Sequence, residues 1–424
     1  MSTFFRKSVL GLLSWLAKCR MKRLRPFVIG VSGSIGKTST KDAIYHLLKS
    51  RYTVVRNEKS FNSEFGLPLA ILEQPSGFSS AWSWILIIVK AFWKAFIGGK
   101  NLQIMVLEMG ADKPGDMAAH LKFVQPQVGI VTNIKPVHLG EGQFKDLDDI
   151  FLEKSRLVMA LPEKGTAILN ADDGYLVSLR EKLQCKTIFY GVSETADLRV
   201  LELESSLTGI HCTVSYKDEV VSGDFPLPGA FQVYVLLAAL AAAITQGFSL
   251  AEAFESLKNF KLPPGRMNLL SGINGTTLID SSYNASPETV KEALDLLQKA
   301  NKGRRIAILG SMNELGPGSE RFHRDIGRYA VGRADILVTV GELARDIADE
   351  AGKEGFPAQD LYACADVFEA ENRVKTFLRE GDTVLIKGSQ NQVRLERLAK
   401  ALMADPTHAE ELLVRQEKHW RNIQ

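Results

Sequence analysis

Cysteine is scarce in this chain of 424 residues: Cys19, Cys185, Cys212 and Cys364 stand far apart, with no C-x-x-C pair and no histidine at zinc spacing. That excludes a disulfide framework and a zinc knuckle, and it suits a reduced, intracellular setting. Internal repeats and low-complexity tracts are missing too, so a solenoid or a disordered chain is not expected. No uninterrupted apolar run is long enough to cross a bilayer. Acidic residues are absent from the first 25 positions, which carry Arg6, Lys7, Lys18, Arg20, Lys22, Arg23 and Arg25. The formal charge of +3 therefore hides a basic arm on a slightly acidic body. No basic face for nucleic acid is evident beyond that arm.

What is present is enough apolar material, 45% of residues, to build two or three ordinary domains. The most informative stretch runs from Gly30 to Ser39 and reads GVSGSIGKTS, between the apolar Phe27–Ile29 and a helix-like segment from Thr40 to Leu48. A strand that breaks into a glycine turn and then a helix aims backbone N–H groups and the positive end of the helix dipole at one spot. That spot suits a polyphosphate. Gly33, Ser34, Ile35, Gly36 and Ser39 would form the cradle, Lys37 would reach the outer phosphates, and the Thr38 hydroxyl would join a Mg2+ shell. The loop is a variant, because Val31 stands where the strict Walker spacing wants glycine.

On a helical wheel of the first 22 residues, Phe5, Val9, Leu12, Leu13 and Leu16 share one side, while Lys7, Ser14, Lys18 and Lys22 share the other. Such a helix either lies in a membrane interface or docks on the protein's own surface. A cleaved signal peptide is disfavoured by the lack of a small-residue cleavage site. The second apolar segment, Trp82–Ile97, is interrupted by Lys90 and Lys94, and its Trp and Lys flanks favour an interfacial position over a buried or partner-binding helix. Peripheral membrane contact through residues 1–22 and 82–97 is therefore expected.

Further along, Ile104–Leu107 reads as a buried strand ending in Glu108, where a metal ligand beside a phosphate loop would sit. Val128–Thr132 repeats the pattern and is followed by Asn133 and His138. The two prolines and glycine of Phe260–Arg266 mark a domain boundary. Beyond it, strands alternate with helices as a doubly wound, mostly parallel sheet requires. The expected organisation is α/β: a basic helix (1–25), a central P-loop-type ATPase domain (26–263, with an apolar insertion at 80–98), and a C-terminal Rossmann-like domain (264–424).

Taken together the chain resembles the Mur ligase family, ATP-dependent amide-bond-forming enzymes of bacterial cell-wall synthesis, and most of all its D-alanyl-D-alanine-adding type. The resemblance covers roughly residues 27–400. It rests on the phosphate loop and on Asn62–Pro68, Leu107–Ala111, Thr132–Ile134 with His138, Leu169–Asp173, Gly265–Arg266, Asp280–Pro287, Gly310–Gly316 with His323, Lys387–Ser389 and Arg394–Glu396. It implies ATP and two Mg2+ ions as cofactors. One ion would be held by Thr38 and Glu108, the other by His138 and a carbamylated Lys154. Arg266, Asp280, Tyr283 and Asn284 would reach the nucleotide from the C-terminal domain. The implied chemistry activates a carboxylate as an acyl phosphate and joins it to an amino acid or dipeptide, in the cytoplasm or on the inner face of its membrane.

Three departures bear on that reading. Only 26 residues precede the first strand, where the family's D-alanyl-D-alanine-adding type carries a UDP-binding domain, so a lipid-borne, membrane-proximal acceptor is expected instead of a UDP-linked one. Ser281 stands where the family usually has Asp, with Asp280 displaced by one. Arg156 stands where an acid is common near Lys154; the preceding Glu153 resembles folylpolyglutamate synthetases. A ligase adding amino acids to a folate-like or polymer acceptor is thus the second reading, and a catalytically silent ATP-binding scaffold at the membrane the third.

Overall fold

The structure, a computed structural model, describes residues 3–57, 65–75, 81–99, 101–390, 393–417 and 420, with backbone alone for 3–7, 81 and 82. Asn62, Ser63 and Glu64 lie outside the described residues.

Two sheets organise the chain. The first contains β1 (Phe27–Ser32), β2 (Val54–Arg56), β3 (Ile104–Glu108), β4 (Val128–Val131), β5 (Thr166–Asn170), β6 (Lys186–Gly191), β7 (Leu198–Ser205), β8 (Ile210–Tyr216) and β9 (Glu219–Phe225), in the order β2-β3-β1-β4-β5-β6-β7-β8-β9. Strands β2 to β7 pair in parallel, and β8 and β9 add an antiparallel meander. The difference is written in the sequence. Strands β3, β4 and β5 are buried along their whole length, as continuous apolar runs covered on both faces must be. Strand β8 instead alternates buried and half-buried residues, with one face against the core.

The second sheet has the order β10-β11-β15-β12-β13-β14, from β10 (Asn268–Ser271), β11 (Thr277–Ser281), β12 (Arg305–Gly310), β13 (Ile336–Val340), β14 (Leu361–Cys364) and β15 (Thr383–Lys387). Among the described residues β10 is the only strand of this sheet that pairs antiparallel. The Ala- and Leu-rich helix Gln232–Thr245 is buried in the core of the first sheet's domain, where its small side chains allow close approach to the helix Lys37–Leu48.

Strand β1 lies between β3 and β4, so the chain reverses its direction of travel across the sheet there. In such α/β sheets ligands bind at the carboxyl ends of the strands flanking this switch point. The turn after β1, the end of β3 at Glu108 and the residues after β4 all meet there.

The N-terminal arm packs on its own domain. In the helix Thr3–Leu24, Val9, Leu13, Leu16 and Ala17 are buried in a cluster with Leu67, Trp84, Ile87 and Ala91. Two of the arm's charges, Arg20 and Arg23, serve the same docking. Arg20, fully buried, donates to the Ile71 carbonyl at 2.5 Å and pairs with Glu73. Arg23 donates to the carbonyls of Ala95 at 2.9 Å and Lys94 at 3.0 Å. Of the two placements open to the N-terminal stripe, docking on the protein's own surface is the one that Val9, Leu13 and Leu16 adopt, because the helix Ala81–Phe96 presents a matching apolar side. Among the described residues no helix is long and apolar enough to cross a membrane.

Candidate active site

The turn after β1 owes its shape to two glycines. Gly33 adopts φ +130°, and a Cβ built there would lie 2.0 Å from Thr132 Oγ1. Gly36, at φ +83°, opens the helix Lys37–Leu48 without a side-chain cap, which leaves the first helical N–H groups directed at the cleft. The turn is tied down from β4. Ser34 N donates to the Asn133 carbonyl and Ile35 N to Asn133 Oδ1, each at 2.9 Å, and Thr132 Oγ1 donates to the Ile35 carbonyl at 2.6 Å. A pre-shaped loop avoids the ordering cost at the moment of binding.

Lys37 Nζ donates to the Ser34 carbonyl at 2.8 Å. Burial holds its ammonium below the usual lysine range, against the opposing pull of Glu108 and Asp112. Thr38 Oγ1 donates to Glu108 Oε2 at 2.8 Å. Behind this pair Asn57 clamps Glu108: Glu108 N donates to Asn57 Oδ1 at 2.8 Å, and Asn57 Nδ2 donates to the Glu108 carbonyl at 3.0 Å. Lys41 Nζ donates to the Asn57 carbonyl at 2.7 Å and stands 4.0 Å from Glu108 Oε2. The partners fix the carboxylate's position at the cleft, with Thr38 on its oxygen and Asn57 on its backbone.

The His138 backbone takes φ +57°, and its ring places Nδ1 2.7 Å from Glu314 Oε2 and Nε2 3.4 Å from Asp112 Oδ1. The Leu139 amide donates to the Glu314 carbonyl at 2.8 Å. Gly316 is close enough that an added Cβ would meet the Leu139 oxygen at 2.1 Å. The loop after β4 and the loop after β12 are therefore clasped together across the two domains.

Lys154 is fully buried, donating to the Ala111 carbonyl at 3.0 Å beside the Phe144 ring. Burial first, and the nearby Lys37 charge second, bring its pKa down to about 7, although Asp112, Glu153 and Asp116 pull the other way. Glu153 faces elsewhere, accepting from Met117 N at 2.7 Å and Arg156 Nε at 3.1 Å.

From the second domain, Arg266 Nη2 donates to Thr38 Oγ1 at 2.9 Å while its guanidinium stacks on Tyr283. Lys387 Nζ donates to Ser281 Oγ at 3.1 Å and the Asn284 carbonyl at 3.0 Å, and burial lowers its pKa to about 8. Glu292 faces it with a pKa raised by burial to about 7.

These groups surround a cleft of about 470 Å3, within the range of small-molecule sites. Residues 34–39, Glu108, His138, Arg266, Tyr283 and Asn284 line it. Gly33 shapes the turn without lining the cleft. Lys154 lies behind the wall, next to residues that form it. Asp280, expected to face the nucleotide, does not line it: side chains alternate along β11, so Ser281 takes the cleft side and Asp280 is fully buried on the other. Sequence reasoning missed Asn57, Lys41, Asp112 and Glu292. Glu314 and Lys387 fell within quoted stretches but received no role.

Among the described residues no group of three or more His, Cys, Asp or Glu side chains is clustered to hold a metal. The Thr38 hydroxyl and Glu108 carboxylate nevertheless offer adjoining hard oxygen donors at the cleft, which suits Mg2+, an ion that takes one or two carboxylates and completes its shell with water and phosphate oxygens.

Comparison with known proteins is consistent with this geometry. The Mur ligase middle domain matches residues 31–243, and the Mur ligase glutamate ligase domain matches residues 265–390. The UDP-N-acetylmuramoyl-tripeptide–D-alanyl-D-alanine ligase of Bacillus subtilis (strain 168) is 29% identical over 399 residues, covering 93% of this chain and 79% of that protein. Its counterpart from Mycobacterium tuberculosis (strain CDC 1551 / Oshkosh) is 31% identical, over 90% of this chain and 73% of its own length. Among solved structures, MurF from Acinetobacter baumannii superposes with a TM-score of 0.78 at 26% identity, covering 93% of this chain and 80% of that one. MurF ligase from Thermotoga maritima in complex with ADP gives 0.77 at 25% identity, covering 95% and 84%. With both domains matched in order along one chain, this protein belongs to the Mur ligase family and is an ATP-dependent, ADP-forming amide ligase.

Proposed function

We propose that this cleft joins a muropeptide carboxylate to the amine of D-alanyl-D-alanine or a similar dipeptide, in the synthesis of a peptidoglycan precursor. The observation that carries the reading is the meeting of Lys37, Thr38 and Glu108 from one domain with Arg266 from the other. Groups of these kinds, converging on one point, suit a reaction that crowds negative charge. The names of the relatives supply the substrate class.

In this reading residues 33–39 hold the triphosphate, with Lys37 at the outer phosphates and Arg266, Tyr283 and Asn284 covering the nucleotide from the far side. The acceptor carboxylate attacks the γ-phosphorus, ADP leaves, and an acyl phosphate remains. The incoming amine attacks the acyl carbon, phosphate departs and the amine's proton passes to a base or water. The hydrogen bond from the Leu139 amide to the Glu314 carbonyl, with Gly316 packed on Leu139, holds the two domains together in this reading, which protects the acyl phosphate from water.

Thr38 and Glu108 would hold one Mg2+, and His138 with a carbamylated Lys154 the second. Bound there, the ions would neutralise charge developing on the phosphoryl oxygens. Lys154 suits the modification. A lysine with a pKa of about 7 presents the neutral amine that attacks carbon dioxide, releasing a proton and leaving a carboxylate-like anion. Asp112 stands 3.4 Å from His138 Nε2 and its charge acts on Lys154, so its field reaches both proposed ligands.

We extend the reading to an acceptor presented beside a membrane, supported by the apolar side chains that the helices Thr3–Leu24 and Ala81–Phe96 leave in solvent. The reaction itself is tested with heavy-oxygen-labelled acceptor carboxylate. An acyl phosphate pathway carries the label into the released phosphate; unlabelled phosphate alongside labelled amide would refute it.

A further inference from the structure

Of the sixteen exposed large apolar side chains among the described residues, eight gather on one small part of the surface. The helix Ala81–Phe96 buries Trp84, Ile87, Ala91 and Ala95 against the protein and turns Ile85, Leu86, Val89, Phe92, Trp93 and Phe96 outward, each 40–61% exposed. Ile97 continues the stripe. Trp15, from the neighbouring helix, joins it with its ring 6.2 Å from Phe92 and 5.9 Å from Phe96. A patch of this make-up is unusual on a soluble surface and calls for a partner.

We propose that this face docks on an anionic lipid bilayer, lying in its interface without crossing it. The charges select this occupant. Lys18, Lys22 and Lys90 are exposed on the same two helices, and neither helix contains an acid. The neighbouring Glu73 is taken up by Arg20 and Lys94. Lys90 sits inside the apolar stripe, one turn from Leu86 and Trp93. Against a bilayer its chain can lie along the apolar surface and reach a lipid phosphate. Against a second copy of the same face it would be buried without an acid from either helix to meet it. The docking face thus differs from the amphipathic stripe of the N-terminal helix, whose Val9, Leu13 and Leu16 are consumed in packing. That helix contributes Trp15, Lys18 and Lys22 from its outer side.

The inference rests on the membrane-side reading above only for its consequence, that the cleft is held near a lipid-anchored acceptor. Docking needs neither nucleotide nor substrate, so the two fail separately. The test is flotation of the full chain with vesicles of phosphatidylcholine, alone or mixed with phosphatidylglycerol, with ligase activity on a soluble acceptor measured in the same preparation. Co-flotation with the mixed vesicles, weakened by salt and reduced roughly tenfold by Val89→Ser with Trp93→Ser, is expected. Lys90→Gln should weaken binding about fivefold, the worth of one interfacial cation. These positions are exposed, so the variants should keep their melting temperature and soluble-acceptor activity. A wild-type chain that stays unbound with both vesicle types would overturn the proposal. So would a stable dimer that the Val89→Ser, Trp93→Ser variant dissociates, which would assign the face to a second copy.

Discussion

Arg266 and Thr38, 228 positions apart in sequence, meet through a hydrogen bond of 2.9 Å, and the same threonine hydroxyl donates onward to Glu108 at 2.8 Å. A guanidinium, a hydroxyl and a carboxylate from two domains thus form one continuous chain at the mouth of the phosphate loop. The relationship makes the joint between the domains part of the site.

Removing the guanidinium should therefore weaken catalysis more than folding. Arg266→Ala is expected to lower kcat/KM for ATP by roughly 10- to 100-fold, the value of a hydrogen bond to a charged group. Arg266→Lys should recover only part of this, since it loses the stacking on Tyr283. Steady-state kinetics across ATP concentrations checks both.

Glu108→Gln keeps the acceptor for Thr38 but removes the charge. Mg2+-dependent turnover should fall about 100-fold or more. Nucleotide affinity in metal-free buffer should change far less. Calorimetric titration beside turnover measurements separates the two, and equal losses would remove Glu108 from the metal role.

Lys154→Ala should abolish ligation, with partial recovery in high bicarbonate or a short carboxylic acid that replaces the missing anion. A carbon-13 carbamate signal from labelled bicarbonate should appear in the wild type and vanish in the variant. A fully active Lys154→Ala protein would exclude the modification from the mechanism.

Asp280 offers a stability test independent of activity. Burial raises its pKa from 3.8 to about 6, so the folded chain holds a proton there that the unfolded chain has already lost. Between those values the folded state binds more protons, and stability falls as pH rises through the interval. Asp280→Asn keeps an acceptor for the Ser282 amide and removes the titration. It should stabilise the protein near neutral pH by on the order of 1–3 kcal/mol and flatten that part of the pH profile. Urea unfolding across the pH range reads both effects.

The parts of the site written in local pattern were legible beforehand. A strand, two glycines and a helix start announced the phosphate loop, and Glu108 could be placed because an acid ended an apolar run. Asn57 could not be found this way: it follows a strand of three residues, and its partnership with Glu108 depends on the pairing of β2 with β3. The one-residue displacement of Asp280 was visible in the sequence, and since such a shift along a strand reverses the side chain, its burial away from the cleft follows from that displacement. The N-terminal helix showed its apolar stripe correctly, yet periodicity cannot say whether protein or lipid covers a stripe. Arg20 and Arg23 read as a basic arm, although the fold spends them on backbone carbonyls and Glu73. Lys154 carries no local signal at all. Its lowered pKa arises from burial and from Lys37, more than a hundred positions away.

The central claim, that this cleft couples ATP cleavage to amide formation, is tested most directly by following phosphate release and product together. The purified chain would be given Mg-ATP, a muramyl-peptide acceptor and D-alanyl-D-alanine. The account predicts sustained phosphate release only with acceptor and dipeptide both present, in equal amount to the new amide. Phosphate release that continues unchanged without either substrate, and without any ligated product, would contradict it.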